Sequence, residues 1–414
     1  MDVISLQPSA NEVISDVKNG IVNEDEFWIK LNPSPLTGGE NAIIQVKNEN
    51  QSLTFTNKLG NMKLRAANKA HELKLEVSTE KVYDLRIPKK SYTYFNNVEL
   101  TGLDIFEGGR QIVIGDTNGA LTFGKINSHN EFEKSLTLEA HFADIVKVLF
   151  FPSGKVVLTA GLDYQIKIWN FEDGQNPRTM RKHTNRITDL AIIGRGRNFL
   201  SSSLDGSIVV WECGSGKAID EMRRVRDLSD PVNCICVFQD QWQTSNSGDH
   251  QLFFEMEGKI CYAGHESGVI STWDMTKRLP LGEYAAVDGG AVSSIAIDSR
   301  KRKDGSHLII TGYSTGYVRF WSSLNHESPL HELKIAKDEL EDRSIGSLKM
   351  RGSSLIVTFS REYIVEIELK VGQFESILPK TFYVGLDQAA QVNQTKIIDN
   401  GLFVAGRFGL FARF

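Results

Sequence analysis

Cysteine is scarce: four residues in a chain of 414 are too few for a disulfide framework. No apolar run reaches the roughly 18 residues that mark a membrane-spanning helix, so no membrane partner is expected. The opening MDVISLQPSANEVISDVKNG has neither the basic start nor the apolar centre of a secretory signal. A basic excess is also missing. The formal net charge is −5 and the isoelectric point about 6.0, which argues against bulk nucleic-acid binding. These absences point to a soluble protein of the cytoplasm and nucleus. What the chain has is length beyond one ordinary domain and 41% hydrophobic residues, enough to build a core.

It also has a repeat. LTAGLDYQIKIWNFEDG at Leu158–Gly174 returns as LSSSLDGSIVVWECGSG at Leu200–Gly216. His141, Asp163 and Trp169 recur 42 residues later as His183, Asp205 and Trp211, and Thr159 and Ser201 each stand four before the Asp. Ile166 and Ile168 alternate around Lys167, the period of a strand. A repeat of this length with a Trp closing a strand marks the blade of a WD-repeat β-propeller. Weaker copies hang on the turns Asn118-Gly119, Ser267-Gly268, Thr315-Gly316 and Phe408-Gly409, with Gly124, Trp273, Trp321 and Phe414 in the Trp place. A degraded copy at Leu355–Leu369 puts Glu362 and Glu368 in the Asp and Trp places. The expected fold is all-β: a seven-bladed propeller over 81–414, each blade of strands a to d, preceded by a small, mostly β N-terminal domain over 1–80. The last phrase reaches the Trp place at Phe414 and lacks its own outer strand. An open edge is a template for aggregation, so a strand from about 81–95 is expected to close the ring. Residues Gln239–Lys259 exceed the period and read as a long loop or hairpin on blade four.

The sets His141/Thr159/Asp163/Trp169 and His183/Ser201/Asp205/Trp211 contain the residue types of a hydrolytic triad. They occur twice at the repeat period and each is linked to a Trp, so the expected role is to pin three strands together. Cys234 and Cys236 are spaced for one face of a strand, but no convergent four-ligand zinc set or paired His motif accompanies them. GSGK at Gly214–Lys217 lacks the full spacing of a phosphate loop and follows a strand, so a turn is expected. SRKRK at Ser299–Lys303 reads either as a nuclear localisation signal or as a solvated hairpin loop. No paired carboxylates, metal site or nucleotide cradle stands out. No catalytic residue, metal or cofactor is expected, and the chain reads as a non-enzyme.

Residues Phe150–Lys217 go beyond the generic repeat. FFPSG at Phe150–Gly154, NPRT at Asn176–Thr179, TDLAII at Thr188–Ile193, RGRN at Arg195–Asn198 and SLDGSIVVWECGSG at Ser203–Gly216 resemble the proteasomal ATPase-associated factor family. These are WD-repeat chaperones of proteasome regulatory-particle assembly. The resemblance implies a partner: the C-terminal domain of one AAA-type ATPase subunit of the base, held so that the ring assembles in order. Other base subunits and assembly chaperones are further candidate partners, and the free chain is expected to be a monomer. The alternative is a WD-repeat scaffold or substrate receptor of another complex, such as a ubiquitin ligase. That class often carries Trp-Asp-x-Arg, whereas here Trp273-Asp274 continues Met275-Thr276. A propeller enzyme is a further rival, one that would need convergent polar residues at the central channel.

Sorting charges by loop suggests a docking face. In this strand order d–a and b–c loops share one face and a–b and c–d loops the other. The d–a segments hold Glu139, Asp144, Asp227, Asp230, Asp288, Asp338, Glu339, Glu341, Asp342 and Asp387. The opposite face receives Arg195, Arg197 and Arg300–Lys303. The acidic face is expected to bind the partner, and the resemblance implies the same.

Overall fold

The protein is described from a computed structural model covering residues 2–32, 39–49, 52–67, 71–79, 81–95, 97–106, 110–239, 252–287, 290–335, 344–360, 362–370, 377–387, 391–398 and 401–414. It is an all-β, propeller-like fold. The helix Ala10–Lys18 and the short 3-10 turn Arg407–Gly409 are the helical elements among the described residues.

From Leu100 onward the strands form consecutive antiparallel sheets, each in chain order. The second sheet runs Ile145–Phe150, Val156–Gly161, Gln165–Asn170 and Arg178–Arg181. The third runs Ile187–Ile193, Asn198–Ser203, Ser207–Glu212 and Lys217–Arg223. Their middle strands are buried on both faces, as VVLTAG and SIVVWE require, whereas an outer strand such as Phe132–Glu139 is half-buried at Phe132, Leu136 and Leu138 and exposed elsewhere. The first strand of each sheet packs against the first strand of the next: Leu100–Phe106, Ile145–Phe150, Ile187–Ile193, Val232–Gln239, Val292–Asp298, Ile345–Arg351 and Val392–Ile398. Val392–Ile398 then packs back on Leu100–Phe106.

The hydrophobic core is therefore divided into slabs between neighbouring sheets. Leu158, Ile166 and Met180 of the second sheet mesh with Leu190, Phe199 and Trp211 of the third. At the return, Leu103, Ile105 and Ile112 mesh with Phe403, Ala405 and Phe411. Apolar burial at every inter-sheet seam, the returning one included, favours a closed arrangement.

The first 95 residues serve three ends. Val3–Leu6, Glu24–Asn32, Glu40–Glu49 and Ser52–Leu59 form an antiparallel sheet, and the helix Ala10–Lys18 buries Ala10, Val13, Ile14 and Val17 on it. Lys63–Ala66, Glu72–Glu76 and Val82–Arg86 extend the sixth sheet, joined by parallel pairing of Asp84–Arg86 with Thr381–Tyr383. Lys90 and Ser91 pair with Arg413 and Ala412 as the fourth strand of the seventh sheet. One continuous apolar cluster links the N-terminal sheet to the fifth and sixth sheets. Of the Gln239–Lys259 insertion, residues 240–251 lie outside the described residues.

Candidate functional site: relays and the docking face

In the second sheet the histidine, threonine, aspartate and tryptophan assemble into one relay. Trp169 Nε1–H donates to Thr159 Oγ1 at 2.9 Å, and Thr159 Oγ1 lies 2.7 Å from His141 Nε2. His141 Nδ1 lies 2.9 Å and 3.1 Å from the two Asp163 oxygens. Burial holds His141 below the ordinary histidine range, more strongly than Asp163 raises it. The neutral ring gives each atom one consistent role: Nδ1–H donates to Asp163 and Nε2 accepts from the Thr159 hydroxyl. In the third sheet Trp211 Nε1–H donates to Ser201 Oγ at 2.8 Å, Ser201 Oγ lies 2.7 Å from His183 Nε2, and His183 Nδ1 lies 2.9 Å from Asp205. Burial works to raise the Asp205 carboxyl. Hydrogen bonds from His183, Ser207 and the Thr184 N–H outweigh it and hold the group well below the usual range. Inside walls of apolar side chains, both relays tie the second and third strands, the turn between them and the segment before the first strand, where His141 and His183 lie; the first strand, the expected third member, is not itself part of the relay.

A third relay escaped the sequence reading. Trp273 Nε1–H donates to Ser271 Oγ at 3.1 Å, Ser271 Oγ lies 2.8 Å from His265 Nε2, and His265 Nδ1 lies 3.3 Å from the Asp230 carbonyl. Here the histidine sits on the second strand, the hydroxyl on the third, and the acid in the segment before the first. In the fifth sheet Trp321 Nε1–H donates to Thr311 Oγ1 at 2.9 Å, and Tyr313 takes the histidine's part. The surviving signal was Trp273 and Trp321 themselves, with Thr311 ten before Trp321 as Thr159 is before Trp169; the other partners had changed position or type.

The four cysteines are unbridged. Burial pushes the Cys236 thiol up to about 11 and the Cys213 thiol up to about 12, so both stay protonated near neutrality. At GSGK, the Glu212 carboxylate accepts the Gly214 and Ser215 N–H groups at 2.8 Å and 2.7 Å, which occupies donors a phosphate would need. Among the described residues no group of three or more His, Cys, Asp or Glu is placed to hold a metal ion.

The acidic residues divide. Glu139, Asp227 and Asp387 are exposed and Asp144 is half-buried. Asp230 requires a correction: it is 5% exposed, pairs with Arg224 at 2.6 Å and accepts from Ser267 Oγ at 2.6 Å, so it supports the fold and offers nothing to a partner. Asp288, Asp338, Glu339, Glu341 and Asp342 lie outside the described residues. Between the ends of the inner strands opens a cavity of about 380 Å³ lined by Glu99, Asp144, Arg186, Ser293, Gly346 and Asn393 among others.

Exposed aromatics, missed from sequence, belong to the same loops. Phe142 is 87% exposed in the d–a segment before the second sheet, and Tyr164 and Phe408 sit in b–c turns. Tyr164 occupies a left-handed turn, φ 62°, where the third sheet has Gly206 at φ 79°. A bulky ring in a glycine position is the signal that could have drawn attention to it.

The other face is occupied by the chain itself. Asn198 donates to the Leu252 carbonyl at 3.0 Å and accepts the Phe254 N–H at 2.6 Å. Glu255 binds the Arg195 backbone and guanidinium at 2.6 Å and 2.9 Å, and Arg197 stacks 3.8 Å from the Phe254 ring. Arg300 is held by Asp298 at 2.6 Å.

The pattern of the WD domain, G-beta repeat, matches residues 132–170 and 174–212. The chain is 28% identical over 356 residues to the 26S proteasome regulatory subunit RPN14 of Saccharomyces cerevisiae, covering 84% of this chain and 81% of that one. It is 24% identical over 186 residues to pre-mRNA-processing factor 19 of Bos taurus, covering 44% of this chain and 33% of that one. It is also 23% identical over 195 residues to the COMPASS component SWD3 of Saccharomyces cerevisiae, covering 45% and 57%.

Proposed function

We propose that this chain, a WD-repeat protein of the proteasomal ATPase-associated factor kind, is a non-enzymatic chaperone of regulatory-particle assembly. It binds the C-terminal domain of one AAA ATPase subunit of the base and keeps the subunit from docking out of order. The observation that carries this reading is the similarity to the yeast proteasome regulatory subunit along 84% of the chain, far beyond the repeats alone. In this reading the consecutive sheets are seven blades of a closed ring over 81–414. Residues 1–80 are a small N-terminal domain welded to the sixth blade, and Lys90–Ser91 close the seventh. The chain works as a monomer in cytoplasm and nucleus, with Ser299–Lys303 as the candidate import signal.

The docking face is the one bearing the d–a and b–c loops. Its support is twofold: it carries exposed acids beside exposed aromatic rings, and the opposite face is partly covered by residues 252–258. Single exposed ion pairs contribute only about 0.2–1 kcal/mol, so binding should depend on several acids together and weaken as salt rises. The test is binding to each isolated ATPase C-terminal domain. Reversing Glu139 and Asp227 together to Lys, and separately Asp338, Glu339, Glu341 and Asp342, should slow association with one such domain. Reversing Lys301 and Lys303 to Glu should leave it unchanged. Loss of binding in the latter variant alone would place the partner on the other face, and no binding to any ATPase domain would refute the chaperone reading.

A further inference from the structure

Arg195-Gly196-Arg197-Asn198 lies outside the generic repeat and has no part in the docking face. Its three polar side chains all grip residues 252–255 of the insertion. Asn198 is fully buried and uses its whole amide on backbone groups. Its Nδ2 donates to the Trp211 carbonyl at 2.9 Å and the Leu252 carbonyl at 3.0 Å, and its Oδ1 accepts the Phe254 N–H at 2.6 Å. Arg197 stacks 3.8 Å from the centre of the Phe254 ring. From the fourth sheet Arg278, held by Asp220 at 2.9 Å, stacks 4.0 Å from the centre of the Phe253 ring. The Glu255 carboxylate accepts the Arg195 backbone N–H at 2.6 Å and Nε–H at 2.9 Å. A side chain at Gly194 would run into that carboxylate. Backbone bonds from a fixed amide, aromatic rings on arginines and a bidentate acid are the contacts of a sequence-reading peptide groove.

We propose that this groove is a recognition site for an extended protein segment carrying two adjacent aromatic residues followed by an acid, and that residues 252–255 occupy it in cis as a built-in competitor. Two observations favour an exchangeable occupant over a fixed piece of the core. First, the gripping contacts lie near the surface. The Arg195 side chain is 84% exposed, Glu255, Phe253 and Phe254 are half-buried, and the strap enters the core only at Met256, among Ile193, Leu200 and Trp273. Second, the strap fits with strain: Glu255 sits at φ 55°, a conformation L side chains rarely adopt, where the chain leaves the groove for Met256. A separate segment does not have to make that turn. The tether keeps the strap at an effective concentration of about millimolar, so an incoming segment must fit more tightly or meet a chain whose strap is already loosened. Such a partner would sit opposite the face proposed for the ATPase domain, and the groove is the same whichever domain docks there.

The test is the fluorescence anisotropy of a labelled synthetic peptide with the sequence of Leu252–Glu257, titrated with the full chain. Wild type should bind it weakly, because its groove is filled. Phe254→Ala together with Glu255→Lys loosens the strap and leaves Met256 in place; this variant should bind the peptide saturably and about tenfold or more tighter than wild type. Adding Arg197→Ala, a change at an exposed side chain, should remove the gain. A peptide with both phenylalanines replaced by alanine should fail to bind. No saturable binding to the loosened chain, equal affinity for the loosened and wild-type chains, or indifference to Arg197→Ala would overturn the site. Equal binding of the alanine peptide would make the groove a contact for any acid and overturn it too. If the double variant fails to fold, Glu255→Lys decides alone, since it alters one half-buried surface side chain: no gain in peptide affinity over wild type would sink the proposal.

Discussion

Thr159 receives the Trp169 N–H and meets His141 Nε2 through one hydroxyl, so its removal strands two buried polar groups at once. Thr159→Val preserves shape and deletes only that hydroxyl. It should cost about 1–3 kcal/mol, the price of leaving buried groups unpaired, read as a lower urea midpoint with an unchanged slope. Trp211→Ala empties a slab shared by the second and third sheets and should cost about 3–5 kcal/mol. The relay also has a pH signature. His141 is held below its ordinary value in the folded state, so protonation favours the unfolded chain. Its contribution is intact above about pH 6.5 and declines as pH falls through that value. Between pH 7.5 and 5.5, wild type should lose more stability than His141→Gln; equal losses would mean that the ring is not buried neutral. Two relays were legible because their four members keep the same spacing. The third was not, because His265, Ser271 and Asp230 meet in space from exchanged positions, and spacing records only the usual arrangement.

At the scale of the element, alternation located strands without naming their neighbours. The window 81–95 contains two strands with different destinations: Val82–Arg86 joins the sixth sheet in parallel, and Lys90–Ser91 joins the seventh. A parallel neighbour far along the chain leaves no mark on local periodicity. The choice is fixed by tertiary chemistry: Arg86 reaches Glu366 at 3.1 Å and Tyr383 at 2.9 Å, and Tyr92 stacks 4.6 Å from Phe411. The pairing of this two-residue strand with the last sheet rests on few backbone bonds, among them Lys89 N–H to the Arg413 carbonyl at 2.7 Å and Tyr92 N–H to the Phe411 carbonyl at 2.8 Å. Lys89→Pro removes one of these donors without touching an apolar side chain. It should lower the melting temperature and speed hydrogen exchange first in Phe411–Arg413. Uniform exchange across all seven sheets would show that this strand does not hold the last sheet shut.

For the whole molecule, charge sorting alone gave an incomplete picture of its two faces. It placed Asp230 among the docking acids and Arg195 and Arg197 on the opposite face, and each of the three is engaged within the fold. Sequence assigns a residue to a loop but does not show whether another part of the chain has already taken it. What remains exposed on the d–a and b–c side is a set of apolar rings beside acids, an anatomy suited to an aromatic anchor within a polar rim. Phe142 tests this most cleanly. Its ring is 87% exposed and is met by the Lys167 ammonium 5.6 Å from its centre, so the folded chain gains little from it. Phe142→Ala should change stability by no more than about 0.5 kcal/mol. If the partner covers this face, the same substitution should weaken binding by about tenfold or more, chiefly through faster dissociation. Reversal of Glu139 and Asp227 should act mainly on association and on salt dependence. A variant that keeps both its melting temperature and its dissociation rate would place the partner away from the mouth of the inner strands, whatever the charges around it do.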